Sequence, residues 1–232
     1  IGITGTNARP SIAPTFGVEP MMGTNPLTFG MPTDEEFPFV LDCATSITQR
    51  GKIEYFERLG LPTPEGMVVG NDGLPKTDSA QILKDFNTGE AALAPLGGIG
   101  EELAGYKGYG YAAVVEILSA ALQQGNYMKM LLGLENGKKV PFHLGHFFIA
   151  IDTEAFMGAD SFRKTTGDIL RELRASKKAP GHDRIYTAGE KEWLVWQERK
   201  NSGVPVTEPV QKEICEVRDN LGLTQYRFPW EA

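Results

Sequence analysis

The chain has 232 residues, 41% of them apolar, with 23 Lys plus Arg against 30 Asp plus Glu for a net charge of −7. That composition excludes a collagen-like chain, a disulfide-stapled miniprotein and a wholly disordered polypeptide, and leaves room for one large domain or two small ones. No apolar run approaches the roughly 20 residues of a membrane-spanning helix, and an acidic balance without a basic block argues against nucleic acid as a partner.

The chain opens Ile1-Gly2-Ile3-Thr4-Gly5-Thr6, without methionine, a basic stretch or an apolar leader. This reads as the middle of a β-strand, and the expectation is a piece of a longer protein. Further strands are expected at Leu27–Met31, Phe37–Leu41 and Phe147–Ile151, short apolar runs of which several are bounded by Pro or Gly. Thr45–Leu59 reads as a helix with Ile47, Ile53 and Phe56 inward and Gly60 as its stop. Tyr111–Gln123 is apolar nearly all round, which predicts a buried helix.

Composition changes near residue 150. Residues 1–150 hold 21 of the 27 glycines, with 10 basic and 16 acidic residues; residues 151–232 hold 13 basic and 14 acidic ones. A loop-rich, sheet-like region, 1–152, is therefore expected to precede a helical one, 153–232. In the latter, Asp160 or Ser161 is expected to cap a helix through Ala175 with Phe162, Ile169, Leu170 and Leu173 on one face. A second helix is expected over Thr207–Leu221, with Pro209 in its first turn, Gly222 at its stop, and Val210, Ile214, Val217 and Leu221 as a stripe that needs a partner.

Three places can carry chemistry. The run Leu96-Gly97-Gly98-Ile99-Gly100 through Lys107-Gly108-Tyr109-Gly110 leads into the apolar helix. Glycines let backbone N–H groups approach an anion, and a helix N-terminus and Lys107 add positive charge; the alternative is a flexible surface loop. Gly108-x-Gly110-x-x-Ala113 matches the dinucleotide fingerprint only formally, since Glu101–Tyr106 is not an apolar strand. At Val40-Leu41-Asp42-Cys43-Ala44-Thr45-Ser46 an apolar strand ends in an acid. Such a carboxylate accepts from a ribose diol or caps the following helix. In the turn Thr6-Asn7-Ala8, Asn7 either bonds a ligand amide or forms a local Asx turn.

The histidines are His143, His146 and His182. If residues 142–148 form a strand, His143 and His146 point to opposite faces and make a poor metal pair, so no metal site is expected. Cys43 and Cys215 stand in unrelated contexts, as in proteins of a reducing compartment such as the cytoplasm.

Together these segments resemble the malate/L-lactate dehydrogenase family, which includes ureidoglycolate, sulfolactate and diketogulonate oxidoreductases. The resemblance rests on Met22-Gly23-Thr24-Asn25-Pro26-Leu27, Val40–Ser46, Gly51-Lys52-Ile53, Pro62-Thr63-Pro64-Glu65-Gly66, Pro95-Leu96-Gly97-Gly98, Lys107-Gly108-Tyr109-Gly110 and Leu144-Gly145-His146-Phe147-Phe148, in that order. It implies an α/β fold with a non-Rossmann nucleotide domain built on a mixed sheet and followed by C-terminal helices. It also implies NAD- or NADP-dependent interconversion of a 2-hydroxy acid and a 2-oxo acid, and a homodimer. The residues it marks as cofactor contacts are Asn7, Asp42, Cys43, Ala44, Thr45, Ser46, Lys107, Gly108, Ala188, Gly189 and Glu190. Ala188 stands where relatives often have proline, and Ala8 where they commonly have serine. The acid at the strand end favours NAD over NADP. The family's catalytic histidine and substrate-binding arginine lie upstream of the position of Ile1, so no catalytic residue is assigned within the chain, and His143 is left as the histidine that approaches substrate. The other readings are a dinucleotide-binding regulatory module without catalysis and a structural interaction domain.

Overall fold

The computed structural model describes residues 1–231. Contacts divide the chain into two units, Ile1–Gly189 and Glu190–Ala232. This division and the composition change near residue 150 are different boundaries.

The first unit is built on a four-stranded sheet. Its strands are β1 (Gly2–Thr6), β2 (Leu27–Met31), β3 (Phe39–Cys43) and, after the shorter β4 (Val68–Gly70), β5 (Ala91–Leu93), β6 (Leu134–Glu135) and β7 (Lys138–Lys139), the strand β8 (His146–Ala150). The order is β3-β2-β1-β8 and every neighbouring pair is antiparallel. The parallel pairing among the described residues is the isolated bridge between Ile12 and Leu93. β1 and β8 meet across most of the unit, with Thr4 opposite Phe148 and Thr6 opposite His146. Gly5 makes that pairing possible, because a Cβ there would stand 2.6 Å from the Phe147 ring. The antiparallel order brings the exits of β1 and β3 and the entrances of β2 and β8 to one end of the sheet.

A second core lies under β4 and β5. Helices α1 (Arg50–Arg58) and α2 (Ser79–Thr88) bury Ile53 and Ile82 against Ile12, Val68, Ala91 and Leu93. Burying an aliphatic side chain of this size stabilises by about 1.5–3 kcal/mol. The side chain of Asp78 caps α2 by accepting the Gln81 N–H at 3.0 Å, and Gly89, at φ 76°, ends it.

Helix α3 (Gly105–Ala121) packs on β1 and β8. It begins six residues before the expected Tyr111, so Lys107, Gly108 and Gly110 lie within its first turns, not in a loop ahead of it. The fingerprint-like glycines are thus helical and follow no strand. Nor is α3 buried all round. It buries Ala112, Val115, Glu116, Ser119 and Ala120, while Tyr111, Val114 and Ile117 stay exposed, because the sheet covers only one side of it.

Helix α4 (Ala159–Ala175) ends where expected, but its N-cap is Gly158. Asp160 instead bonds Arg163 at 3.0 Å within the first turn. Leu170 is buried, whereas Ile169 and Leu173 are exposed. The second unit contains α5 (Glu190–Arg199) and α6 (Glu208–Asn220). α6 has the expected bounds, with proline in its first turn and Gly222 at φ 68° after its last residue. Val210, Val217 and Leu221 of its stripe are exposed. No helix among the described residues is long and apolar enough to cross a membrane.

Candidate functional site

The site forms at the sheet end where β3 gives out. Past Cys43 the chain crosses to the second core in an extended path that the expected helix at Thr45 cannot follow, because its backbone groups are taken elsewhere. Thr45 N–H donates to the Thr24 carbonyl at 3.0 Å, Ile47 N–H to Ala94 at 3.1 Å, and the Thr45 carbonyl accepts Leu96 N–H at 2.9 Å. Ser46 forms a β-bridge with Pro95. α1 can start only at Arg50. Its N-cap, Gln49, makes no side-chain cap bond.

Cys43, Ala44, Ser46, Lys52, Tyr55 and Leu96 are among the residues that line a cleft of about 680 Å³ beside this crossing. Lys52 is its cation, with Nζ 4.9 Å from the Tyr55 ring centroid. Ser46 is buried, and its hydroxyl has no partner within the protein. A buried hydroxyl left so is costly, and in a cleft wall it suits a polar ligand. The aromatic and aliphatic walls, one cation and this hydroxyl fit a nucleotide's flat base, phosphates and sugar.

Asp42, one residue before the cleft, faces the opposite side of the sheet from Cys43. Its Oδ1 accepts the Thr28 hydroxyl at 2.7 Å across the β2–β3 pair. It caps no helix, since α1 begins eight residues later.

The glycine run closes against the same wall. Gly97, Gly98 and Gly100 have φ of 102°, 89° and 74°, a region open to glycine and strained for other residues. The loop folds back on the start of α3 so tightly that a Cβ on Gly105 would stand 2.0 Å from the Gly98 carbonyl oxygen. A Cβ on Gly108 would stand 2.2 Å from that of Leu96. Leu96 lines the cleft and bonds to Thr45, so the start of α3 packs behind the cleft wall through Gly108. Lys107 is not in the lining, and Gly98 and Gly100 line a separate pocket with Phe16 and Val18. Lys107 is exposed on the first turn of α3, its Nζ 5.9 Å from the Tyr106 ring centroid.

Other expected site residues lie apart from the cleft lining. Asn7 is fully buried, and its amide is committed inside the protein. Nδ2 donates to Asn126 O at 2.9 Å and to Glu116 Oε1 at 3.4 Å, and Oδ1 accepts Gly145 N–H at 2.9 Å. These partners are distant in sequence, so the local Asx turn is replaced by a long-range network. Ala188 and Gly189 pack at the beginning of β3, where the Ala188 carbonyl accepts Val40 N–H at 3.2 Å. Glu190 is buried as the first residue of α5. His143 is exposed, with φ 48°, three residues before β8 starts; strand parity therefore does not relate it to His146. No histidine lines the cleft, and no group of three or more potential metal-ligating side chains occurs among the described residues.

The model of the malate/L-lactate dehydrogenase family matches residues 1–215. The chain belongs to this family. It is 38% identical to the malate dehydrogenase of Pyrococcus horikoshii over 96% of this chain and 59% of that protein. It is 35% identical to the L-sulfolactate dehydrogenase of Methanocaldococcus jannaschii, over 96% and 60%. The crystal structure of malate dehydrogenase from Entamoeba histolytica superimposes with a TM-score of 0.89 at 42% identity, covering 99% of this chain and 62% of that one. The chain thus spans about three fifths of the length of the relatives it matches. The family read from the ordered motifs is the one found.

Two contributors were not singled out by sequence. Lys52 stood only within the landmark Gly51-Lys52-Ile53. Glu116 lies inside an apolar helix, where a lone acid among Ala, Val, Ile and Leu is the signal that marks it.

Proposed function

We propose that the protein is an NAD(P)-dependent oxidoreductase that interconverts a 2-hydroxy acid, malate- or lactate-like, and its 2-oxo acid, and that this chain builds the dinucleotide-binding part of its site. The observation that supports this reading is the close approach of Gly108 to Leu96, a residue of the cleft wall at the end of β3. Family membership supplies the reaction class. When bound, the nicotinamide dinucleotide supplies the hydride acceptor or donor.

The chain's own residues bind and orient. Cys43, Ala44 and Ser46 form the wall, with Ser46 offering its unpartnered hydroxyl, and Thr45 stands behind them, its hydroxyl held by the Thr24 and Asn25 carbonyls. Lys107, beside Gly108, and Lys52 offer charge to the phosphates. Asp42, on the face of β3 opposite Cys43, is assigned to a ribose diol by resemblance alone, and a carboxylate there disfavours a 2′-phosphate, which favours NAD. Ala188, Gly189 and Glu190 are assigned to the cofactor by resemblance, with Asn7 acting behind the wall through its buried bonds. No general acid/base or carboxylate-holding cation is assigned among residues 1–232, and His143 is assigned to the substrate side. A homodimer is the proposed assembly, and two free cysteines accord with the cytoplasm.

The test is a fluorescence titration of the full-length protein with NADH and NADPH, with turnover on oxaloacetate and pyruvate. Saturable NADH binding, tighter than NADPH and weakened in Lys107→Ala, is expected. NADH affinity unchanged by that substitution would remove the phosphate role from Lys107, and cofactor binding without turnover would leave only a binding module.

A further inference from the structure

Glu116 is 3% exposed on the inner face of α3, and the residues around it on that face are Ala112, Val115, Ser119 and Ala120. A buried carboxylate is costly unless hydrogen bonds replace its water. Three N–H donors converge on this one. Met128 N–H reaches Oε1 at 2.8 Å, Asn7 Nδ2 the same oxygen at 3.4 Å, and Asn25 Nδ2 reaches Oε2 at 2.8 Å. No two of these donors are neighbours in sequence. Asn7 leaves β1, Asn25 precedes β2 and Met128 follows α3; through Asn7 the network also holds Gly145, just before β8.

The branch through Asn25 leads to the cleft. Asn25 is fully buried at φ 38°, a left-handed conformation that a non-glycine residue holds only when its surroundings impose it. Its amide is pinned to Glu116 and to the Ala112 carbonyl, at 3.0 Å. In that conformation the carbonyls of Thr24 and Asn25 both accept from the Thr45 hydroxyl, at 3.1 and 3.0 Å, and Thr24 also takes the Thr45 N–H. Thr45 in turn holds Leu96. Only Asn25 separates Glu116 from the residue on which the cleft wall hangs.

We infer that Glu116 is a positioning residue for the dinucleotide site. It fixes Asn25, Asn25 sets the carbonyl pair that seats Thr45, and Thr45 sets residues 43–46 against Leu96. The carboxylate touches no cofactor. It acts as the common anchor for loops that arrive at the sheet end from four parts of the chain. This inference rests on the reading of residues 43–46 as the dinucleotide wall.

The test compares Glu116→Gln with wild type in the full-length protein. Glutamine keeps the shape but turns an N–H₂ toward a donor, so at least one donor loses its acceptor. The NADH dissociation constant is expected to rise about tenfold or more, with kcat at saturating NADH near wild type, and Glu116→Asp is expected to recover part of the affinity. Asp78→Ala, which loosens α2 away from this network, serves as a control for instability alone and should leave the constant unchanged. A folded Glu116→Gln protein with wild-type NADH affinity overturns the inference. If that variant does not fold, hydrogen exchange in the wild type decides. NADH should slow exchange at the Met128 and Gly145 amides as well as in residues 43–47. Protection confined to 43–47 overturns the role of Glu116, whereas no protection at 43–47 removes the dinucleotide reading and this inference with it.

Discussion

Gly108 and Leu96 lie backbone to backbone. A Cβ added to Gly108 would stand 2.2 Å from the Leu96 carbonyl oxygen and 2.5 Å from its nitrogen. Neither atom belongs to a side chain that can swing away. Gly108→Ala is therefore expected to cost about 1–3 kcal/mol of stability through overpacking, read from the urea midpoint. It should also weaken NADH binding, because Leu96 lines the cleft. A variant with wild-type stability and affinity would show that the two segments separate freely.

Lys52 is exposed, and its charge lies over the Tyr55 and Phe56 rings at the cleft. Lys52→Ala is expected to weaken NADH binding by about 1 kcal/mol, roughly fivefold, as an exposed charge pair does. Lys52→Arg should retain affinity. The difference between wild type and Lys52→Ala should shrink as salt rises from low to physiological ionic strength; a difference independent of salt would assign the effect to ring packing instead.

Arg171 ties α4 to the β2–β3 connection. Its guanidinium takes Asp34 through two bonds, at 2.9 and 3.1 Å, and reaches Asp168 at 2.7 Å. The hydrogen bond from Arg171 holds the Asp34 carboxyl below its ordinary value, and bonds from Lys164 and then Arg171 do the same to Asp168. A depressed folded pKa contributes stability that is present above the unfolded carboxylate pKa, about 3.9, and lost as pH falls through the lower folded value. Stability measured by urea is thus expected to fall below about pH 4, and to fall less steeply in Arg171→Met. Equal acid slopes in the two proteins would contradict the linkage.

Asp78→Ala removes the cap of α2 and is expected to cost about 0.5–2 kcal/mol. Asp78→Asn should restore most of it, as both side chains accept from the Gln81 N–H. Thermal denaturation of the three proteins checks the order.

Strand positions were legible in the sequence because short apolar runs bounded by turn residues have few other ways to pair. β2 matches to the residue, β1 starts one residue after the expected Ile1, and the strands at Phe39 and His146 match within two residues. The helix onsets were not legible. Gly105, Gly108 and Gly110 disfavour a helix by propensity, yet the close approach of residues 96–98 needs glycine on the helix face turned toward them, and that contact is visible only in three dimensions. The same holds for residues 45–49, whose pattern suits a helix but whose N–H groups are claimed by Thr24 and Ala94. Within the site, the end of β3 could be read locally. The burial of Asn7 could not, since its partners lie more than a hundred positions away.

The union of β1 with β8 has a kinetic consequence. Thr4 donates to the Phe147 carbonyl across 143 positions, and β1 is an inner strand with β2 already on its other side. Contacts so remote in sequence form slowly, because a long stretch must first be closed into a ring. During synthesis the border of β1 that β8 covers can close only after residue 150 has been added. The platform beside the cleft is therefore complete only once β8 has joined it, and until then the uncovered border of β1 is an edge open to pairing with another strand.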